Sequence, residues 1–128
     1  MRYVEGTLYE AIGGEHAIEK IVEQFYNRVS EHPELIPVFP DDLTETRRKQ
    51  KQFLTQFCGG PNLFTQEHGH PRLRARHLPF PITPVKAEAW LNCMERALRA
   101  SKLENEKAVH ELYQRLTLTA HHMINTQL

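Results

Sequence analysis

The chain has 128 residues, and its Lys plus Arg (16) balance its Asp plus Glu (16). That length buries roughly two thirds of the unfolded surface, enough for one core, and the absence of net charge leaves no global field for nucleic acid or an anionic membrane. The two cysteines, Cys58 and Cys93, form no C-x-x-C, which argues against a disulfide framework or a thiolate zinc site. Arg2, Glu5 and Glu10 interrupt any apolar leader, and nowhere do about 18 apolar residues run together. The expectation is one soluble cytoplasmic domain over residues 1–128, without nucleic-acid or membrane partners.

Taken in order, Thr7-Leu-Tyr-Glu10 has capping-box spacing and starts a short helix that Gly13-Gly14 ends. Ile18, Ile21, Val22, Phe25, Tyr26 and Val29 then recur at i, i+3, i+4, i+7, i+8 and i+11, the apolar face of a second helix. Pro33, Pro37 and Pro40 break the chain into a corner, where Leu35, Ile36, Val38 and Phe39 are apolar enough to dip into the core. From Thr44 helical spacing returns, with Thr46, Gln50, Phe53, Leu54 and Phe57 on one face. A threonine and a glutamine one turn apart on a buried stripe each need a partner, so either this end of the face frays to solvent or both side chains look into a pocket.

Gly59-Gly60-Pro61 ends that helix. Thr83 offers an N-cap and Pro84 fits the first helical position of the next. Its stripe is Val85, Ala89, Cys93 and Ala97, widened by Trp90, Met94 and Leu98. A last helix from about Glu104 carries Val109, Leu112, Tyr113, Leu116, Ala120, Met123 and Ile124 at spacings of three and four. No segment alternates as a strand, so the pattern predicts an all-α domain of four substantial helices and two or three short ones.

The stretch Gly59–Phe80 stands apart, because histidines, arginines and prolines follow one another there in irregular order. His68-Gly69-His70-Pro71 places two imidazoles on a turn with only Glu67 nearby, a poor ligand set for zinc or non-haem iron. His77 has another setting. Arg72, Arg74 and Arg76 precede it, Leu73 shares its face four residues back, and Pro79 limits the turn. A neutral imidazole there suits iron, with guanidiniums at the rim to meet carboxylates. A lone histidine on an apolar face is more often simply a core residue. Against that, Tyr26, Thr46, Gln50 and Trp90 put polar groups on otherwise apolar stripes of three helices, which points to a shared cavity.

With these residues in place, the chain resembles the truncated haemoglobins, and within them the second group. The resemblance is carried by Phe25-Tyr26, Val38-Phe39-Pro40, Thr46 and Gln50, Phe53-Leu54, Gly59-Gly60-Pro61, His68 to Arg74, Arg76-His77-x-Pro79-Phe80 and Ala89-Trp90-Leu91, from about Leu8 to Asn125. It implies a shortened globin fold, a two-over-two helical sandwich with a long loop before an abbreviated proximal helix. His77 would be the proximal haem-iron ligand and Tyr26, Gln50 and Trp90 would line the distal side. Thr46 would stand where many globins keep a distal histidine. Phe39, Phe53, Leu54 and Leu73 would pack on the porphyrin, Arg76 would meet one propionate and Lys49 a second.

The cofactor expected is non-covalent haem b, since there is neither a C-x-x-C-H motif nor a cysteine close to His77. Three donors facing a gas that takes on negative charge predict tight O₂ binding with slow release, and CO and NO as further ligands. Two alternatives use the same site: nitric oxide dioxygenation, or peroxide reduction, each with an external reductase, because no dinucleotide fingerprint is present. A gas sensor is disfavoured by the lack of an output domain. A non-haem helical module using His68 and His70, for metal or protein partners, is the alternative of another class. Apolar residues on the last two helices allow a monomer or a weak homodimer.

Overall fold

Thr7 begins the first helix as expected: its Oγ1 accepts from the Glu10 amide at 3.1 Å, and α1 runs Leu8–Ile12. A computed structural model describes residues 6–127, so the reading of a charged, non-leader N-terminus, which rests on Arg2 and Glu5, lies outside it. Gly13 closes α1 at φ 117°, a conformation that favours glycine. The chain turns directly into α2, Gly14–Val29, with Ile18, Ile21, Val22, Phe25, Tyr26 and Val29 all buried.

The proline-rich corner contains one 3-10 turn, Ile36–Val38. Leu35 is buried, and Val38 and Phe39 are half-buried, but Ile36 is exposed. That corrects its expected place in the core, since a 3-10 turn sends consecutive side chains to different sides. Then come α3 (Thr44–Phe57), α4 (Leu63–His68) and α5 (Leu73–His77). Thr83 Oγ1 caps α6, Pro84–Ala100, by accepting from the Lys86 amide at 3.1 Å. Asn105 caps α7, Glu106–Met123, by accepting from the Ala108 amide at 3.0 Å, so this helix starts two residues later than the expected Glu104.

α2 packs against both α3 and α6, and α6 packs against α7, so the pair α2–α3 lies over the pair α6–α7. Ile18, Ile21, Phe25, Cys93, Met94 and Leu112 meet in the shared core. On the α6 stripe, Ala89, Cys93, Met94, Ala97 and Leu98 are buried as expected, whereas Val85, in the first turn, is 55% exposed. Both cysteines are buried free thiols, and burial pushes Cys58 up to about 12. Gly60 is required by close approach: a Cβ there would stand 2.8 Å from the Tyr9 ring and 3.0 Å from the Thr55 carbonyl. No helix among the described residues is long and apolar enough to cross a membrane.

Candidate functional site

The sandwich sets Tyr26 and Trp90 on either side of Phe25. The Phe25 and Tyr26 rings meet edge-on at 5.0 Å, Phe25 lies 5.2 Å from Trp90, and Phe39 stands edge-on to Tyr26 at 5.8 Å. Tyr26 is 4% exposed, while Phe39 and Trp90 are half-buried. Thr46 and Gln50 are half-buried on α3, which packs on α2, and Lys49 between them faces solvent. The side chains of Tyr26, Thr46, Gln50 and Trp90 make no hydrogen bond among the described residues. Burial pushes the Tyr26 hydroxyl well above its ordinary pKa, partly offset by Arg47, so it is a neutral donor at physiological pH.

His77 ends α5, which spans little more than one turn. Its Nδ1 lies 2.7 Å from the Leu73 carbonyl oxygen, one turn back. A carbonyl accepts only, so Nδ1 carries the proton and donates, and Nε2 keeps its lone pair. This is the arrangement that prepares an imidazole for metal ligation, because the bond through the other ring nitrogen fixes the tautomer and the ring direction. The remaining expected porphyrin contacts differ among themselves. Phe53 and Leu73 are half-buried and line an open cleft of about 780 Å³ between α3, α5 and α7. That cleft contains neither His77 nor Tyr26 nor Trp90. Leu54 is sealed in the core at 0% exposure.

Arg76 is committed to backbone. Its Nε donates to the Pro71 carbonyl at 2.5 Å and its Nη2 to the carbonyls of His68 and His70 at 3.2 and 3.3 Å, with the guanidinium 5.2 Å from the Phe64 ring centre. The side chain therefore closes the loop leading to α5. His68 and His70 are also engaged locally. His70 Nδ1 accepts from the Arg72 amide at 3.1 Å, and His68 Nε2 is 2.8 Å from Gln52 Oε1. Gln52 in turn donates to Glu67, which pairs with Arg48, which pairs with Glu45. Hydrogen bonds from Arg48 and then Gln52 hold the Glu67 carboxyl down at about 2. This chain of polar contacts ties α4 to α3. Among the described residues no group of three or more His, Cys, Asp or Glu side chains is placed to hold a metal ion.

Three features escaped the sequence reading. α4 fell within the expected long loop, because six residues with one buried position, Phe64, show no period. Arg47 places its guanidinium 5.7 Å from the Tyr26 ring centre, and its only sequence signal is adjacency to Thr46. Asn125, beyond the last helix, contacts the segment that follows His77.

The donor set fits haem: one imidazole with a committed Nδ1 and a free Nε2, and unclaimed neutral donors on the helices opposite. The comparisons agree with that fit. A family model described as bacterial-like globin matches residues 7–125. A group 2 truncated hemoglobin of Bacillus subtilis (strain 168) is 61% identical over 118 residues, covering 91% of this chain and 87% of the relative. The solved structure of the group II truncated hemoglobin from Bacillus anthracis superposes with a TM-score of 0.91 at 61% identity, covering 95% of this chain and 93% of that one. That of a truncated oxygen-avid haemoglobin from Bacillus subtilis gives 0.88 at 59% identity, covering 94% and 100%. The chain belongs to the bacterial-like globin family, and within it to the group II truncated haemoglobins.

Proposed function

We propose that this protein holds haem b non-covalently through His77 Nε2 and binds O₂ with high affinity and slow release, taking CO and NO at the same position. One observation carries the reading: the Nδ1 of His77 is committed to the Leu73 carbonyl at 2.7 Å, which leaves Nε2 as the ligating atom. When bound, haem supplies an iron with an open coordination position for a diatomic gas. The chain supplies the surroundings. Tyr26 Oη, Trp90 Nε1 and the Gln50 amide are donors without protein acceptors among the described residues, and they suit the negative charge a bound gas acquires. Thr46 is too short to compete with them. Phe39, Phe53 and Leu73 offer apolar surface to the porphyrin, and Leu54 backs that surface from within the core. Lys49 and Arg76 are the candidates for the propionates; Arg76 would do so through Nη1, since Nε and Nη2 hold the loop carbonyls. A relative described as oxygen-avid supports the high affinity. The same reading makes residues 1–128 one cytoplasmic domain, a monomer or weak homodimer, with any redox turnover supplied by a separate reductase.

The test is reconstitution with haemin, followed by reduction and CO. A Soret band that shifts with CO, with all haem extracted into acidified butanone, is the expected result. His77→Gly should lose the proximal bond and recover it on addition of imidazole. A ferrous spectrum in His77→Gly identical to that of the unmodified protein would sink the assignment.

A further inference from the structure

We infer that Asn125, in the segment after α7, is a positioning residue for His77, so that the C-terminal tail forms the outer wall of the proximal side. This deepens the haem reading and rests on His77 as the iron ligand.

Asn125 lies two residues past the end of α7 and caps no helix. Every polar atom of its side chain is engaged. Nδ2 donates to the His77 carbonyl at 3.2 Å and to the Phe80 carbonyl at 3.0 Å, while Oδ1 accepts from the Ile82 amide at 2.9 Å and from Thr126 Oγ1 at 2.9 Å. The opposite orientation of the amide would set an oxygen against two carbonyls and an NH₂ against an N–H, so the network itself fixes the assignment. The backbone completes the clasp, with the amides of Asn125 and Thr126 both donating to the Ile82 carbonyl, at 3.0 and 3.2 Å.

The clasp matters because α5 is held mainly by polar tethers: it packs on α7, and Arg74 Nη2 donates to the Ile124 carbonyl at 3.4 Å, next to Asn125. No residue of α5 is buried, and Leu78 and Phe80 just beyond it are about half exposed. Apolar burial therefore does little to hold the turn that carries His77. Its ring is fixed to its own helix through Leu73, so ring and turn move as one body whose attitude is set by tethers at each end. Arg76 ties the N-terminal side to the carbonyls of residues 68–71. Asn125 ties the C-terminal side, through the carbonyl of His77 itself.

The experiment compares the haem-loaded protein with Asn125→Ala and with Ser101→Ala. The second removes a buried hydroxyl that donates to the Ala97 carbonyl, away from α5, and so controls for general destabilisation. Readouts are the iron–histidine stretching band of the ferrous ligand-free form and the rate of haem transfer to an acceptor protein. Asn125→Ala should move or broaden the band and speed haem loss roughly tenfold, equivalent to about 1.4 kcal/mol. Ser101→Ala should lower thermal stability with the band unmoved. In the unmodified protein the Ile82 amide should be protected from hydrogen exchange, a readout that needs no variant to fold. An unprotected Ile82 amide, or a band and haem-loss rate in Asn125→Ala that change no more than in Ser101→Ala, overturns the clasp. A band that survives His77→Gly overturns the ligand assignment as well; a band lost there but unmoved in Asn125→Ala overturns the clasp alone.

Discussion

Replacing Tyr26 by phenylalanine should change gas release and leave the stability of the haem-free fold as it is. The residue is 4% exposed, and its hydroxyl has no hydrogen-bond partner among the described residues. The oxygen itself is not among the buried side-chain atoms that lack a partner, so in the haem-free protein it reaches solvent and there is no desolvation cost to recover. Tyr26→Phe keeps the ring that packs edge-on against Phe25 and Phe39. The haem-free protein should therefore keep its stability, with the melting temperature within roughly 2 °C of the unmodified protein. The haem-loaded protein should lose a hydrogen bond to a charged acceptor, worth about 1.5–3 kcal/mol, so O₂ should leave roughly ten- to a hundredfold faster. Thermal melts of the haem-free forms and stopped-flow displacement of O₂ by CO measure the two effects. A marked fall in haem-free stability would mean that the hydroxyl has a structural partner. An unchanged O₂ dissociation rate would refute its role at the site.

Two further outcomes follow from the geometry. Gly60→Ala should destabilise by about 1–3 kcal/mol through overpacking against the Tyr9 ring, and the loss should shrink in a Tyr9→Leu background, as chemical denaturation of the single and double variants would reveal. Glu67 has a folded pKa held down at about 2 by Arg48 and Gln52, so its stabilising contribution is present above the ordinary carboxylate range and is lost as pH falls from there toward about 2. The pair is 43% and 42% exposed, so solvent screening keeps the effect small; Glu67→Gln should flatten this part of the acid denaturation curve, and a curve of unchanged shape would contradict the ion-pair account.

What the sequence made legible was what a local period or a local cap encodes. The face of α2 is buried at each expected position because i, i+3, i+4 spacing on a long helix permits one solution. Thr83-Pro84 marks the start of α6 because a hydroxyl cap and a missing N–H act within one turn. Val85 and Ile36 show the limit of the method. Both carry the right residue type for burial, yet one sits on the first turn of α6 and the other on a 3-10 turn, where tertiary position decides exposure. The polar faces of α2, α3 and α6 suggested a shared cavity. What they did not reveal was Arg47 beside Tyr26, or Asn125 clasping the turn after His77. Asn125 reaches 48 residues back along the chain to the His77 carbonyl, and no periodicity records such a pairing.

The two halves of the site are held by different forces, and this bears on how the protein works. Tyr26 and its neighbour Phe25 belong to the main core and Trp90 packs against it, so these two proposed donors are fixed by apolar burial among the chain's own residues, whereas Gln50 is half-buried on α3. The turn that carries His77 buries no residue of α5 among the chain's own atoms; it packs on α7 and is tied by hydrogen bonds from Arg74, Arg76 and Asn125, each worth a net ~0.5–1.5 kcal/mol. Segments with few buried apolar contacts open most easily. A ligand that binds only the closed form stabilises it in proportion to its affinity. On the proposed reading, haem would contribute that closure at the His77 turn, with Tyr26 and Trp90 already held by the core. The donors proposed to set how long a gas stays are thus placed apart from the turn proposed to set how firmly haem stays, and each can change without unmaking the other.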